Sequence, residues 1–299
     1  MQLRRDWSRP SLRSDDRFPL HSQVEIRSSC GSRLVEMEEK SWQEVYLERF
    51  YSSKPGWLDG ITEFHRLCTA SIPAGSAILE IGSGPSNPTS RFLSTLGRVT
   101  GVDVDREVLT NDALDTALVL SNDTYPVPDA AFDACVSDYV IEHMKDPLRH
   151  LNEVRRILKP HGVYVFRTPN RFHYVALAAR LTPHWFHELI ANRLRNLPRG
   201  SHDPYPTHYR MNSRGAILQA VAAAGLEVDT LRLLEKEPWY GRSSRVLFLT
   251  FMLYERVVNR SELLAGFRAN LLGVLRRGPS PQNLCTTPTQ HRNGLLCAL

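Results

Sequence analysis

Between residues 76 and 170, short apolar segments alternate with helix-length segments, and this alternation limits the fold more than any other feature of the chain. Strands joined by helical crossovers form a parallel sheet that is covered on both faces. Seven segments read as strands: 76–82, 98–105, 116–120, 132–138, 162–170, 226–234 and 245–254. We therefore predict an α/β fold with a doubly wound, seven-stranded sheet that is mostly parallel.

The predicted domain lies between two polar ends. Residues 1–36 and the tail 278–299 lack apolar periodicity, so both are predicted to be disordered. One domain then spans 37–277. Within it, residues 171–211 interrupt the alternation and are predicted to form the lid, because long irregular segments in compact domains usually serve a site. Residues 255–277 are predicted to form an amphipathic C-terminal helix.

Three helices are predicted between the early strands. The first has Asn87 as its N-cap and Gly97 at its C-terminal end. The second spans 106–115. The third spans 147–160 and places four apolar side chains on one face: Leu148, Leu151, Val154 and Leu158.

The net charge is mildly basic, and its distribution is uneven. The chain has a formal net charge of +5, well short of the dense Lys/Arg runs of nucleic-acid binders. The segment from Arg171 to Gly215 holds seven arginines and two acids, a local sum of +5. This segment either faces phosphate or another anion, or is a solvated arginine-rich surface. We predict no nucleic-acid partner.

Cysteine use and the apolar runs indicate the compartment. The five cysteines are odd in number and form no CxxC pair, which favours a reduced, cytoplasmic setting. The N-terminal residues have charge but no apolar core, so they are not a secretory signal. The strongly apolar run from Val246 to Tyr254 is nine residues long and too short to span a bilayer. The amphipathic segment 255–277 either packs on the sheet or lies on an anionic membrane surface, so a peripheral membrane contact stays open.

A glycine turn follows the first strand in the motif ILEIGSGPSNP. Gly82 and Gly84 let a ligand lie against bare backbone, but the third glycine of a dinucleotide motif is missing. Glu80 would repel a pyrophosphate and attract an ammonium group. Asp103, at the end of the second strand, can accept hydrogen bonds from both ribose hydroxyls. These features predict S-adenosylmethionine as the cofactor; the alternative is a tight strand-to-helix turn with a capping acid.

Two longer stretches carry a family resemblance: ILEIGSGPSNPTSRFLSTLGRVTGVDVDREVL and YPVPDAAFDACVSDYVIEHMKDPLRHLNEVRRILKPHGVYVFRTPN. Together they resemble the class I S-adenosylmethionine-dependent methyltransferases, above all the branch that contains the ubiquinone and menaquinone biosynthesis methyltransferases. The resemblance covers about residues 77–170. It implies a Rossmann-like sheet that is mostly parallel, has an antiparallel last strand and carries a lid insertion. It also implies that Glu80, Gly82 and Gly84 line the methionyl end of the cofactor and that Asp103 binds the ribose.

The chain departs from the family pattern at two positions. The family's acid that meets the adenine amino group falls on Ser121, so Asn122 and Asp123 become the candidates for adenine recognition. His161 stands where the family usually has a glycine after the LKP motif, which affects a turn and not the chemistry.

Candidate catalytic groups follow the fourth strand in SDYVIEHMKDP. Asp138, Glu142 and His143 lie where the methyl group would project, and Asp138 is also expected to contact the cofactor. His143 is a candidate general base with a pKa near neutrality, alongside Glu142. The other interpretation is that Glu142 and His143 orient the loop and cap the next helix. The histidines of the lid match no metal-binding spacing, so we predict no metal.

These observations predict a methyltransferase that uses S-adenosylmethionine and acts on a small-molecule or lipid-linked acceptor. The main alternative is a non-catalytic partner or scaffold protein with the same fold. A nicotinamide oxidoreductase would need the missing third glycine. A nucleic-acid methyltransferase would usually carry (D/N)PPY where this chain has SDYV.

Overall fold

The computed structural model describes residues 40–181 and 205–279, and one sheet runs through them. Its strands are β1 (Ser76–Ile81), β2 (Gly97–Asp103), β3 (Thr116–Val119), β4 (Phe132–Asp138), β5 (Leu158–Pro169), β6 (Leu226–Leu234) and β7 (Asn270–Arg277). Their order is β3-β2-β1-β4-β5-β7-β6. Strands β1 to β5 are parallel, and β7 lies between β5 and β6, antiparallel to both. This confirms the predicted α/β, doubly wound, seven-stranded sheet.

Helices cover both faces of the sheet. They are α1 (Trp42–Leu47, continued by a π-helical turn over Glu48–Ser52), α2 (Gly60–Ser71), α3 (Pro88–Leu93), α4 (Pro147–Ile157), α5 (Tyr174–Leu181), α6 (Arg214–Ala224) and α7 (Arg245–Asn259). Short 3₁₀ turns span Arg106–Thr110, Ile141–His143, Trp239–Gly241 and Glu262–Phe267. Helices α4 and α6 share one core cluster with the sheet, and α2 and α3 share the other. The carboxyl ends of β1, β2, β4 and β5 therefore open between two helical layers.

The central strands contribute to both core clusters in alternation. Leu79 and Cys135 pack with α4 and α6, whereas Ile78, Ala134 and Val136 pack with α2 and α3. All five side chains are fully buried. Because neighbouring side chains of a strand point to opposite faces, a strand buried on both faces reads as a continuous apolar run. That is why the sequence marks these strands clearly.

The strand predicted over 245–254 is wrong, since these residues begin helix α7. The ring of Phe248 is fully buried and meets the rings of Trp42, Tyr46 and Tyr51 edge-on, with centroids 6.3, 5.6 and 6.2 Å away. A short apolar run fits a strand and a buried helix equally well by periodicity. Here the packing of Phe248 against the N-terminal helical segment favours the helix.

The C-terminal helix predicted over 255–277 is also wrong. Helix α7 ends at Asn259, a 3₁₀ turn follows, and the chain then forms β7. A Cβ atom on Gly273 would lie 2.3 Å from the ring of Phe166 in β5, so the close approach of the two strands requires glycine. Both edges of β7 are paired, and the backbone hydrogen bonds gained there favour the strand over the helix.

The helix predicted over 106–115 is wrong beyond Thr110. Asn111 is buried and turns its side-chain amide back toward the first strand-to-helix turn. The amide donates hydrogen bonds to the carbonyl of Gly84 at 3.2 Å and to the hydroxyl of Ser90 at 3.0 Å. This tertiary contact ends the helical turn.

Two helix boundaries also differ from prediction. Gly97 does not end α3 but begins β2, where a Cβ atom would lie 2.1 Å from the carbonyl oxygen of Ser76. Helix α4 ends at Ile157, so Leu158 belongs to β5, and Leu148 is 41% exposed instead of facing the core. The other predicted core residues of α4, Leu151 and Val154, are fully buried.

Some predictions concern residues outside the described ranges. These are the extension 1–36, the middle of the lid and nearly all of the tail 278–299. Across residues 40–181 and 205–279, the helices are all too short or too polar to cross a membrane.

Candidate functional site

The glycine turn after β1 has the backbone conformation that only glycine adopts easily. Gly82 and Gly84 have φ angles of +72° and +50°. A Cβ atom on Gly82 would lie 2.4 Å from a methyl group of Val140, so a side chain there is excluded by space as well. Asn87 then caps α3 as predicted, accepting the backbone N–H groups of Thr89 and Ser90 at 2.8 and 3.0 Å.

Asp103 joins the end of β2 to this glycine turn. Its Oδ2 accepts the backbone N–H of Gly84 at 2.9 Å, and its Oδ1 accepts that of Asp105 at 2.8 Å. The carboxylate is half-buried, and each oxygen retains a second lone pair. Asp103 is therefore fixed in orientation and able to accept hydroxyl groups from a ligand that lies on the turn.

Glu80 lies beneath the turn and is only 3% exposed. Burial raises the pKa of its carboxyl to about 7, and the nearby carboxylates of Asp138 and Asp103 add to this effect. The hydroxyl of Ser90 opposes the shift by donating a 2.7 Å hydrogen bond to Oε2. A buried carboxyl poised near neutral pH would gain greatly from a cationic partner such as an ammonium group.

Ser90 and Asn111 are two polar residues that support Glu80 and that the sequence analysis missed. Asn111 and the side chain of Asn87 both hydrogen-bond to the hydroxyl of Ser90, which in turn contacts Glu80. The signal for Ser90 is a small polar residue three positions after an N-cap. Asn111 gives no local signal, because it reaches the site only through the turn after β2.

Asp138, at the end of β4, forms an ion pair with Arg167 of β5. The guanidinium Nε and Nη2 donate to Oδ1 and Oδ2, each at 2.6 Å. The hydroxyl of Thr89 donates to Oδ2 as well, at 3.1 Å. Arg167 is 6% exposed and was missed in the sequence, although a single arginine within the apolar run GVYVFRTP was a signal. The structure thus places Asp138 next to the glycine-turn helix but with both oxygens already engaged.

Tyr139 follows Asp138 and has an unusual backbone conformation for an aromatic residue, with φ +58°. Its hydroxyl donates to Oδ1 of Asn270 at 2.9 Å, and its backbone N–H donates to the carbonyl of Arg167 at 2.9 Å. The guanidinium of Arg167 lies 4.6 Å from the centre of the tyrosine ring. These contacts hold the strained residue at the rim of the site.

Glu142 is 4% exposed, and burial raises the pKa of its carboxyl to about 7. The hydroxyl of Thr168 donates to Oε2 at 2.9 Å and in turn accepts the side-chain amide of Asn212 at 2.7 Å. The backbone carbonyl of Glu142 accepts the N–H groups of His208 and Tyr209 at 2.7 and 3.1 Å. Glu142 therefore ties the loop after β4 to the segment that precedes α6.

His143 is half-buried beside Glu142, and its ring orientation is set by a carbonyl group. Nδ1 lies 3.1 Å from the carbonyl oxygen of Pro206. A carbonyl oxygen only accepts, so in the neutral ring Nδ1 carries the hydrogen and Nε2 is the acceptor. Within the described residues, Nε2 has no hydrogen-bond partner.

The end of the lid insertion crosses this site. The hydroxyl of Tyr205 donates to Oδ2 of Asp105 at 3.1 Å, while its ring meets the ring of His143 edge-on with centroids 6.1 Å apart. Together with the Pro206 carbonyl, Tyr205 spans from the end of β2 to the loop after β4.

The adenine candidates Asn122 and Asp123 lie in the exposed loop after β3. Asn122 accepts the backbone N–H of Thr124 at 2.9 Å. Asp123 forms an ion pair with Arg149 at 2.8 Å, and its side chain is 77% exposed. Neither side chain hydrogen-bonds to the glycine turn or to Asp103.

Residues 40–181 and 205–279 contain no group of three or more His, Cys, Asp or Glu side chains arranged to hold a metal ion. His184, His187 and His202 of the lid lie outside the described residues.

Residues 79–166, which contain the glycine turn, Asp103, Asp138 and His143, match the family described as "Methyltransferase domain". The chain carries a methyltransferase domain. This match agrees with the resemblance of its motifs to the class I S-adenosylmethionine-dependent methyltransferases, a family whose cofactor is S-adenosylmethionine.

Individual relatives of the domain are distant. A ubiquinone biosynthesis O-methyltransferase from Xanthomonas axonopodis pv. citri is 29% identical over 186 residues, 57% of this chain and 71% of the relative. An uncharacterized 37.1 kDa protein in transposon TN4556 of Streptomyces fradiae is 31% identical over 180 residues, 51% of each chain. Of the first such relatives, this chain spans about half of the length or less.

Among solved structures, an S-adenosylmethionine dependent methyltransferase from Mesorhizobium loti is 19% identical to this methyltransferase domain, with a TM-score of 0.48. That likeness covers 71% of this chain and 96% of the other.

Proposed function

We propose that this protein transfers a methyl group from S-adenosylmethionine to a small-molecule or lipid-linked acceptor. One observation carries the proposal: the carboxylates of Glu80 and Asp103 flank the Gly82–Gly84 turn, one buried beneath it and the other bonded to its backbone. An ammonium group at Glu80 and a ribose at Asp103 fit a ligand that has both, with the turn between them.

In this proposal Gly82 and Gly84 let the methionyl part of the cofactor lie on the backbone. The loop with Asn122 and Asp123 is assigned to the adenine. Asp138 serves the cofactor indirectly, because its carboxylate orients Arg167 and is bonded to Thr89 in the first turn of α3.

Catalysis of methyl transfer requires alignment of the acceptor and, where a proton must leave, a base. The sulfonium of the bound cofactor supplies an already activated methyl group. We assign the base to His143, whose Nε2 has no partner among the described residues, and treat Glu142 as the residue that positions it. The contact of Tyr205 with Asp105 supports the assignment of 171–211 as a lid over the acceptor.

The proposal is tested by titrating S-adenosylhomocysteine into the full chain in a calorimeter. We expect saturable binding by the wild type and at least tenfold weaker binding by Asp103→Ala, equivalent to about 1.4 kcal/mol. Labelled S-adenosylmethionine and a cell extract then reveal the methylated product by mass spectrometry. Cofactor binding without any labelled product across varied extracts would favour the alternative, a non-catalytic partner or scaffold.

A specific observation also favours contact with a membrane surface. Helix α7 exposes Val246, Leu249, Leu253 and Val257, with 72, 39, 64 and 49% of each residue accessible. These residues are spaced for one face of a helix. The next turn adds Leu263, which is 94% exposed.

Basic residues border this apolar face, defined by Val246, Leu249, Leu253 and Val257. Arg245 and Arg260 are exposed and form no ion pair within the described residues, and the helix's single acid, Glu255, is buried. An apolar stripe edged by arginines is complementary to an anionic lipid surface. We therefore propose that α7 rests on such a surface, which suits a lipid-linked acceptor.

A further inference from the structure

A second cavity lies next to the proposed reaction site, between the start of α4 and the exposed side of α6. It has a volume of about 660 Å³. Its polar lining comes from Arg171, His208, Arg210, Asp146 and Gln219. Its apolar lining includes Leu148 and Ala220.

Neither arginine of this cavity is paired with a carboxylate among residues 40–181 and 205–279. Nε of Arg171 is enclosed and has no hydrogen-bond acceptor among the described residues, and Arg210 forms no ion pair within them. The two arginines come from different elements, since Arg171 follows β5 and Arg210 precedes α6.

The single acid in the lining is already occupied. Oδ1 of Asp146 caps α4 by accepting the backbone N–H of Arg149 at 3.0 Å. Helix α4 is eleven residues long, and its N-terminus adds a positive partial charge beside the cavity. The cavity is therefore cationic despite Asp146.

Hydrogen bonds link residues that line the cavity to the proposed reaction site. The backbone N–H of His208 donates to the carbonyl of Glu142, and Asn212 hydrogen-bonds to Thr168, which contacts the Glu142 carboxyl. Arg171 donates its own backbone N–H to the carbonyl of Asn212 at 2.8 Å. The segment 206–212 thus contacts both the cavity and the Glu142–His143 pair.

We propose that this cavity binds a phosphoryl group of the methyl acceptor, held between Arg171 and Arg210. A phosphoryl group has three outward oxygens and can accept from guanidinium groups on two walls at once. The apolar lining then faces the adjoining part of the acceptor. This inference rests on the proposed methyl transfer for its link to an acceptor, whereas the anion site itself stands on the arginines.

Calorimetric titration with inorganic pyrophosphate tests the site, using the full chain with S-adenosylhomocysteine present. We expect saturable binding that weakens at least tenfold in Arg171→Gln and in Arg210→Gln, equivalent to about 1.4 kcal/mol for each. Arg214→Gln is the matched control, because Arg214 is exposed at the start of α6 and does not line the cavity. Absence of saturable binding, or an equal loss in Arg214→Gln, overturns the inference.

Titration of the cofactor product alone separates this inference from the proposed function. If S-adenosylhomocysteine binds and pyrophosphate does not, only the phosphoryl site fails. If pyrophosphate binds with the expected arginine dependence and S-adenosylhomocysteine does not, the anion site is supported and the methyltransferase proposal fails.

Two phosphoryl probes distinguish the sources of the group. Glycerol 3-phosphate represents a water-soluble metabolite, and a short-chain, soluble phosphatidic acid represents a lipid. Similar affinities for the two probes indicate a water-soluble metabolite, because the apolar lining then adds nothing to the affinity. Tighter binding of the lipid probe, lost in Leu148→Ser, indicates a lipid-linked acceptor, because Leu148 is 41% exposed and lines the cavity.

Discussion

Arg167 and Asp138 face each other across the carboxyl ends of β5 and β4, with two hydrogen bonds of 2.6 Å between the guanidinium and the carboxylate. Both side chains are largely buried, at 8 and 17% exposed. Breaking such a pair leaves one charge buried without compensation. We expect Arg167→Met to lower the free energy of unfolding by about 3–5 kcal/mol, measured by chemical denaturation.

The control for this change is Arg276→Met, which breaks the exposed pair with Asp229. Surface pairs contribute about 1 kcal/mol or less. The double variant Arg167→Met/Asp138→Leu should recover most of the loss, since it removes both charges. If Arg167→Met lowered the free energy of unfolding no more than Arg276→Met does, the buried pair would not stabilise the ends of β4 and β5.

If Glu80 binds the ammonium group of the cofactor, cofactor binding should depend on pH. Its pKa of about 7 in the free protein means that the carboxyl is largely protonated below pH 7, whereas an ammonium ligand favours the carboxylate. Binding must then release a proton, and affinity for S-adenosylhomocysteine should fall by roughly tenfold per pH unit below about 7. Calorimetry in buffers of different ionisation enthalpy measures the proton release directly.

Glu80→Gln should bind weakly and without this pH dependence. The same raised pKa affects the free protein: its contribution to stability is full below the unfolded pKa of 4.5 and is lost as pH rises through about 7. Wild-type affinity that stays flat across this range would contradict the role assigned to Glu80.

His143 and Glu142 are distinguished by pH–rate profiles of methyl transfer. If His143 is the base, His143→Gln should lower kcat by about 10²- to 10⁴-fold and abolish the acidic limb of the profile. Glu142→Gln keeps an oxygen that can accept from Thr168, so it should retain the limb and lose less activity. Loss of the limb in Glu142→Gln, with the limb intact in His143→Gln, would reverse the two roles.

Replacing His161 with glycine should stabilise the protein. Its φ of +66° is left-handed, a conformation that costs a residue with a Cβ atom about 1–2 kcal/mol. We expect His161→Gly to raise the free energy of unfolding by about 1 kcal/mol, measured by urea denaturation, because glycine adopts this backbone without strain. His161→Ala keeps the Cβ atom and should not stabilise; an equal gain in both variants would point away from backbone strain.

The exposed face of α7 predicts binding to anionic vesicles. Leu253→Glu places a charge in the middle of the apolar face and should abolish co-sedimentation with vesicles of phosphatidylcholine and phosphatidylglycerol. Leu218→Glu is the control, since Leu218 is 42% exposed on α6. Equal binding to vesicles of phosphatidylcholine alone, or equal loss in both variants, would count against an anionic lipid surface.

The sequence by itself determined the first five strands and the turn between β1 and α3. Their signals are local: apolar runs long enough for buried strands, Asn87 as a cap, and glycines where the backbone takes positive φ. Because parallel strands end at one edge of the sheet, sequence order alone also brought Glu80 and Asp103 to the same turn.

Only the tertiary structure decided which secondary structure forms beyond residue 244. It also decided the hydrogen bonding and protonation of the side chains in the candidate site. The run 245–254 has no periodicity that separates helix from strand, and its packing on α1 made it a helix. Residues 270–277 form a strand because they pair with the edges of both β5 and β6. The pairing of Arg167 with Asp138 and the tautomer of His143 depend on partners far along the chain. So does the burial that raises the pKa of Glu80, because it is produced by the packed fold as a whole.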